Sequence, residues 1–293
     1  MIFEYMNLIR TRQWVKQLVI FMPVLALNDR LTLKIFNDLV LFSLFFSLVA
    51  SIIYIVNDIS DLSEDRLDSR YFNRPFVKKT ISLKAGVYTA IALTGISGLI
   101  LTYLELNQTI MFFLAFYIFT NLVYSCFRLK RNELIGNGLV ALGFPIRFEC
   151  GALLIGLEFS FWAFILLFEF AFFLLCGKKY QKMNGGAALN VTSTSYLTLK
   201  NVYWLLATIL SASFFFVTFI AFILDPKTTQ LWGDEFLILT VIPVTLILFR
   251  IVRLILILDS KIYITDRFYY DRLVIFLSTI TLVFFYIGKV FTL

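Results

Sequence analysis

Asn57, Asp58, Asp61 and Asp65 lie within the stretch NDISDLSED, an amide and three carboxylates separated by one, three and four residues. On an α-helix turning about 100° per residue they share one stripe, about a quarter of the circumference. Oxygen donors gathered in this way suit a hard divalent cation. Mg2+ commonly takes one or two protein carboxylates and completes its shell from the phosphates of a substrate. An amide beside the carboxylates can orient a water or a phosphate oxygen. A solvated helix end, with acids offset by Arg66 and Arg70, would have no reason to confine those acids to one stripe. Mg2+ with a polyphosphate points to displacement of a diphosphate, the metal stabilising the charge of the leaving group. Two donors satisfy that chemistry: a prenyl diphosphate, reacting through an allylic cation, and a sugar 1-diphosphate, reacting through an oxocarbenium-like centre.

The element that must carry this stripe is a hydrophobic run, Phe36 to Val56, that ends where the acids begin. The whole chain resembles that run. Of its 293 residues 60% are hydrophobic and only 15% charged, too apolar for a water-soluble fold of this size. About 20 apolar residues cross a bilayer as a helix. Leu83 to Tyr103, Thr109 to Phe127, Phe159 to Cys176, Val202 to Leu224, Phe236 to Leu258 and Leu273 to Phe291 meet that length in order of magnitude. Leu134 to Leu157 is a further candidate, interrupted by Arg147 and Glu149. Val15 to Leu27 is shorter, but Arg10, Arg12 and Lys16 at its start can snorkel, so a tilted or half-embedded first helix is expected. The fold class is therefore all-α: a polytopic membrane protein of nine transmembrane helices in one domain, residues 1–293. The N-terminus shows no cleavable signal, since its basic residues lie inside the first apolar segment.

Charge orients the chain. With the N-terminus inside, alternate loops hold twenty Lys and Arg on that side against four on the other, the pattern of a cytoplasmic N-terminus in the inner membrane. The net charge of +7 is thereby assigned to topology and anionic headgroups, with no nucleic acid as partner. The acid stripe falls on the cytoplasmic side, together with the long polar loops. Histidine is absent, which removes imidazole bases and histidine metal sites. Cys126, Cys150 and Cys176 stand singly in apolar stretches and read as small buried hydrophobes. Arg147, deep in an apolar run, is a functional candidate by its cost alone, with Glu149 or another acid of the bundle as its simplest partner.

NDISDLSED fits N-D-x-x-D-x-x-x-D, the first signature of the UbiA superfamily of intramembrane prenyltransferases, and NRP at Asn73 to Pro75 extends the resemblance. One branch is more similar still, the decaprenyl-phosphate phosphoribosyltransferases. It is carried by RTRQWVKQLVIFMPVLA at Arg10 to Ala26, GFPIRFECGA at Gly143 to Ala152, GKKYQKM at Gly177 to Met183 and, weakly, TDRFYYDR at Thr265 to Arg272. The chain departs from the branch at YSCFRLKR, Tyr124 to Arg131, which is one residue longer than the usual helix end. It departs again after Arg74-Pro75, where Val77, Lys78 and Lys79 replace small residues. It also departs from the prenyltransferases, which carry a second aspartate motif for another Mg2+ in the sixth loop. Here no acid occurs between Glu169 and Asp225, and Lys178, Lys179 and Lys182 stand in that region.

The resemblance implies a UbiA-like bundle with a cytoplasmic-facing active site, and transfer of a 5-phosphoribosyl group from 5-phosphoribosyl-1-diphosphate (PRPP) to a polyprenyl phosphate. Asp58 and Asp61 are the expected catalytic residues, within a Mg2+ set of Asn57, Asp58, Asp61 and Asp65. Expected substrate-binding residues are Gln13, Lys16, Arg74, Tyr124, Lys130, Arg147, Lys178, Lys179 and Tyr180, with Gln13 near the ribose. For each of the basic residues a headgroup-facing role is the alternative. Arg147 stands open between phosphate ligand and internal ion pair. Lys and Arg can neutralise the 5-phosphate and the acceptor phosphate without a second metal. Two other functions are compatible with parts of the sequence. A prenyltransferase acting on an aromatic or glycerol acceptor shares the Mg2+ motif. A transporter would place its acids near the bilayer midplane on broken helices.

Overall fold

The computed structural model describes residues 1–27, 31–67, 71–126, 132–187, 194–257 and 263–292, and these are helical with turns and no strand. The chain forms two compact units, Met1–Ser160 and Phe161–Leu293.

In the first unit the helices are α1 (Ile2–Leu8), a 3₁₀ helix (Thr11–Ala26), α2 (Leu33–Ser60), α3 (Leu62–Asp65), α4 (Leu83–Tyr103), α5 (Gln108–Cys126) and α6 (Glu133–Leu154). Short polar side chains start four of them. Thr32, Ser82, Asn107 and Asn132 accept hydrogen bonds from the backbone N–H of Ile35, Ala85, Ile110 and Ile135, satisfying donors that a helix leaves orphaned at its first turn. The first apolar segment, expected as an embedded helix, is wound as 3₁₀ over sixteen residues, an unusual length for that geometry. Its entry is Arg10 in the left-handed region at φ 53°, and Pro23 lies within it. Its close seat is on α6. A Cβ at Gly151 would stand 2.1 Å from the Ile20 carbonyl oxygen, so only glycine admits that approach. Trp14 Nε1 donates to Ser51 Oγ, and Ser51 in turn donates to the Ile9 carbonyl, pinning the start of the segment to the middle of α2.

A core of Leu8, Leu48, Ile55, Phe76, Ile81 and Leu93 joins α1, α2, α4 and the chain after Pro75. Phe76 lies over Gly86, where a Cβ would come within 2.4 Å of its ring.

The second unit holds α7 (Phe161–Ala187), α8 (Thr194–Leu224), α9 (Pro226–Trp232), α10 (Asp234–Leu239), α11 (Val241–Leu256), α12 (Ile264–Arg267), a 3₁₀ turn (Phe268–Tyr270) and α13 (Arg272–Thr292). The expected span Phe236 to Leu258 is therefore jointed at Thr240 between α10 and α11. Phe173, Leu248, Ile251, Leu254, Ile255, Ile264 and Val274 belong to one buried cluster of this unit, and Phe219, Ile223, Leu237 and Val244 form another. Gln181 stitches the first by donating to the Leu254 carbonyl at 3.3 Å and accepting from the Ile264 N–H at 2.7 Å.

Among the described residues six helices are long and apolar enough to cross a membrane: Leu33–Ser60, Leu83–Tyr103, Phe161–Asn184, Leu199–Leu224, Phe236–Leu256 and Arg272–Phe291. The other three segments expected to span correspond to the 3₁₀ helix, α5 and α6. Large apolar side chains such as Leu99, Phe112 and Phe249 stand more than 60% exposed along these helices, which water would punish and lipid does not. The protein is an all-helical, multi-pass membrane protein.

Candidate active site

The acids are placed by the end of α2. The helix does not run on unbroken, as the stripe geometry assumed: Asp61 is the join between α2 and α3, at φ −91° and ψ −1°. Nevertheless Asp61 N–H donates to the Asn57 carbonyl and Asp65 N–H to the Asp61 carbonyl, both at 2.9 Å. The i to i−4 spacing crosses the join, and the stripe survives it.

Asp58 and Asp65 are 3% and 4% exposed. A single nitrogen, Arg74 Nη1, lies 3.0 Å from Asp58 Oδ1 and 2.5 Å from Asp65 Oδ2, so the two carboxylates converge on one point. Arg10 Nη2 also donates to Asp58 Oδ1, at 2.5 Å. Each guanidinium is steadied by a ring, Arg10 over Tyr54 at 4.6 Å and Arg74 over Tyr71 at 4.3 Å. Burial pushes the Asp65 carboxyl above the ordinary aspartate range, against the opposing pull of Arg74.

Asn57 Oδ1 is buried without a hydrogen-bond partner. Among the described residues no three Asp, Glu, His or Cys side chains make a ready metal cage. Two converging carboxylates and an unpartnered amide oxygen instead form an incomplete donor set. Such a set fits Mg2+ in the mode where substrate phosphate oxygens supply the remaining ligands.

The other expected residues fall in several places. Asp61 is half-buried at the join. Lys16 Nζ donates to Gln13 Oε1 at 3.2 Å on the 3₁₀ helix. Tyr124 is half-buried near the end of α5, and Lys130 lies outside the described residues. In the second unit Lys178 Nζ stands 5.3 Å from the Tyr263 ring, Lys179 is half-buried, and Tyr180 packs against the core cluster of Phe173 and Ile255.

Arg147 corrects an expectation. It is 4% exposed, and its guanidinium donates to Gln17 Oε1 at 2.7 Å, to the Tyr117 hydroxyl at 3.0 Å and to the Gly143 carbonyl, while lying over the Phe46 and Tyr117 rings. Glu149 instead accepts from the Ser160 N–H. Residues two apart on a helix face different ways, which is why the ion pair does not form. Phe46 precedes Asp58 by twelve residues on α2, about 18 Å of backbone rise, and Arg147 spans part of that interval, its guanidinium reaching back to the Gly143 carbonyl and within electrostatic range of Tyr54, the ring that steadies Arg10.

Sequence reading missed Arg10 as a partner of the acids, treating it as a topological charge. It missed Gln17 and Tyr117 altogether. Gln17 lies in the stretch Arg10 to Ala26, whereas Tyr117, in the apolar run Thr109 to Phe127, carries no sequence signal of its own.

Residues 18–263 match the UbiA prenyltransferase family. The chain belongs to that family. Among curated UbiA-type relatives, decaprenyl-phosphate phosphoribosyltransferase of Mycobacterium tuberculosis is 28% identical over 210 residues, 68% of each chain. The enzyme of the same name from Corynebacterium glutamicum is 31% identical over 212 residues, 68% of this chain and 62% of that one. Among solved structures, a UbiA homologue from Archaeoglobus fulgidus bound to GPP and Mg2+ superimposes with a TM-score of 0.65 at 17% identity, covering 98% of each chain. This likeness establishes a UbiA fold. The family match includes the acid stripe and the Arg147 layer, whereas Arg10 and Gln17 lie just ahead of it.

Proposed function

We propose that this UbiA-family transferase moves a 5-phosphoribosyl group from PRPP to a polyprenyl phosphate, releasing diphosphate, at the cytoplasmic face of the inner membrane. The observation that carries the reading is the imbalance of its charges. Among the described residues two buried acids, Asp58 and Asp65, converge on one point, and the sequence holds no acid between Glu169 and Asp225, where Lys178, Lys179 and Lys182 stand. A donor bearing an extra 5-phosphate and an acceptor that is itself a phosphate both ask for cations rather than a second metal set. The names of the actinobacterial relatives support the same reading.

Asp58 and Asp65, with Asn57, would hold Mg2+, and Asp61 at the join completes the stripe. When bound, the metal supplies charge neutralisation of the leaving diphosphate. Arg10 and Arg74 oppose the cost of burying the two carboxylates and hold them aimed at one point. Lys178, Lys179 and Lys16 act as point charges for the remaining phosphates, and Gln13 lies beside Lys16 for the ribose. Tyr124, Lys130 and Tyr180 complete the assigned substrate contacts, Tyr180 by its hydroxyl, since its ring packs on the core. The acceptor phosphate is an anion near neutral pH, so attack at C1 needs no strong general base, which suits a chain without histidine. In-line attack forms the C1–O bond to the lipid phosphate as the C1–O bond to diphosphate breaks, giving a β-linked product.

The test is the purified protein in detergent with PRPP labelled in the ribose, Mg2+ and a polyprenyl phosphate. Label passing into the lipid phase is expected, and Asp61→Ala should abolish it while the variant still folds. Incorporation only from a labelled prenyl diphosphate would make the protein a prenyltransferase instead. Turnover of neither donor would return the transporter reading.

A further inference from the structure

Asn137 is a buried amide on α6. It is 6% exposed, its Nδ2 is buried without a partner, and no other hydrogen bond of its side chain occurs among the described residues. A buried polar group left unpaired is costly and calls for an explanation, a ligand among them. Its place in the fold narrows the choice. The 3₁₀ helix and α6 run side by side in the same direction, since Gln17 meets Arg147 and Ile20 meets Gly151. Asn137 precedes Arg147 by ten residues of α-helix, about 15 Å. Arg10 precedes Gln17 by seven residues, about 14 Å at the 3₁₀ rise. Asn137 and Arg10 therefore stand at the same height, and Arg10 is bonded to Asp58. On the helix wheel Asn137 lies within about 80° of both Arg147 and Gly151, on the side of α6 that faces the 3₁₀ helix. Next to it, a side chain added at Gly138 would meet nothing within 4 Å.

A free carboxamide offers both N–H donors and a carbonyl acceptor. A phosphate oxygen uses only the donors, and a prenyl chain uses neither. A hydroxyl, which donates and accepts, answers both. We propose that Asn137 bonds a ring hydroxyl of the sugar donor held at the acid stripe, and that it is the residue by which this site prefers a pentosyl donor to an all-carbon prenyl donor. The assignment rests on the phosphoribosyl reading above. A site built around a substrate hydroxyl rejects an analogue lacking it far more strongly than an apolar pocket rejects an added one.

The experiment compares PRPP with its 2-deoxy and 3-deoxy analogues as donors, in the wild-type protein and in Asn137→Leu. Intrinsic reactivity differences between the donors cancel in the ratio of ratios. In the wild type, kcat/KM is expected to favour PRPP over one deoxy donor by on the order of tenfold or more beyond the preference that Asn137→Leu retains. Asn137→Leu should keep its melting temperature, because it exchanges an unpaired amide for an apolar side chain of similar size. A variant that slows all three donors equally, leaving the ratio unchanged, would make Asn137 structural and overturn the assignment. Should Asn137→Leu not fold, Asn137→Ala gives the same ratio of ratios, and a ratio equal to the wild type's overturns the assignment. Absence of any turnover with PRPP in the wild type is a different result: it removes the phosphoribosyl reading itself, and the sugar assignment with it.

Discussion

The end of α2 and the end of α7 treat charge in opposite ways. At α2, buried Asp58 and Asp65 are answered at hydrogen-bond distance by Arg10 and Arg74, whose guanidiniums are held by tyrosine rings. At α7, Lys178 and Lys179 follow Gly177 in a region whose sequence holds no acid, and Lys178 has the face of Tyr263 beside it. The first arrangement is balanced and rigid, with planar forks locking carboxylates in place. The second is a set of compact charges on flexible stems. A balanced cluster suits a metal position whose carboxylates are held in place by arginines until an ion arrives. Compact cations on flexible stems suit anions that arrive and leave with each turnover.

The sharpest way to break this contrast is Asp58→Asn. If Asp58 helps hold the ion on the leaving group, several kcal/mol of transition-state stabilisation are lost, and kcat should fall on the order of 10³-fold, measured by labelled ribose reaching the lipid phase. A variant that kept full activity would reduce the acid cluster to a structural ion pair.

Next in size is Arg74→Ala. It leaves Asp65 buried without its cation while Asp58 keeps Arg10. Breaking a fully buried pair costs about 3–5 kcal/mol. Arg74 keeps 24% of its side chain exposed, so about 1–3 kcal/mol is expected here, read as a lowered melting temperature in detergent. At the α7 end the corresponding change, Lys178→Ala, should move binding instead. KM for the anionic substrates should rise roughly tenfold, and the melting temperature should move little, since a cation–π contact of this kind contributes about 0.5–1 kcal/mol. If Arg74→Ala changed only KM and Lys178→Ala only stability, the two ends would have been read the wrong way round.

The same contrast explains what the sequence made legible. The acid stripe was readable because its members lie within one helical repeat, where spacing alone fixes the face. Its arginines were less so: Arg10 reaches Asp58 across 48 residues, and only the packing of the 3₁₀ helix against α2 brings it there. Arg147 shows the limit most clearly. Its burial was foreseeable from its place in an apolar run, but its partner Gln17 lies 130 residues away, and the nearer acid, Glu149, points elsewhere. The joint at Thr240 has its signal three residues on, at Pro243, whose missing N–H leaves the Leu239 carbonyl without its helical partner, while hydropathy alone reads the run from Phe236 as continuous. The winding of Thr11 to Ala26 as 3₁₀ was hidden for a related reason, because apolar residues in a short segment do not distinguish the two pitches.

The smallest expected effect belongs to a third kind of charge, one that is balanced yet has no substrate to serve. Asp271 accepts from Arg250 Nη2 at 2.8 Å and from the Val274 N–H at 3.1 Å, tying α11 to the start of α13. The Arg250 hydrogen bond, then the Val274 N–H and the charge of Arg250, hold the Asp271 carboxyl below its ordinary value, against the opposing effect of burial. Because the folded value is depressed, the pair contributes fully above the unfolded value of 3.8 and is lost only as pH falls through the lower, folded one. Asp271→Asn should therefore lower stability by about 1 kcal/mol at neutral pH, the difference from wild type staying flat down to about pH 5 and closing below the ordinary aspartate range. Melting curves of both proteins across that window would show it. Activity per folded molecule should be unchanged, since this carboxylate is already committed to an arginine and a helix start, whereas those of α2 are committed only until an ion takes their place.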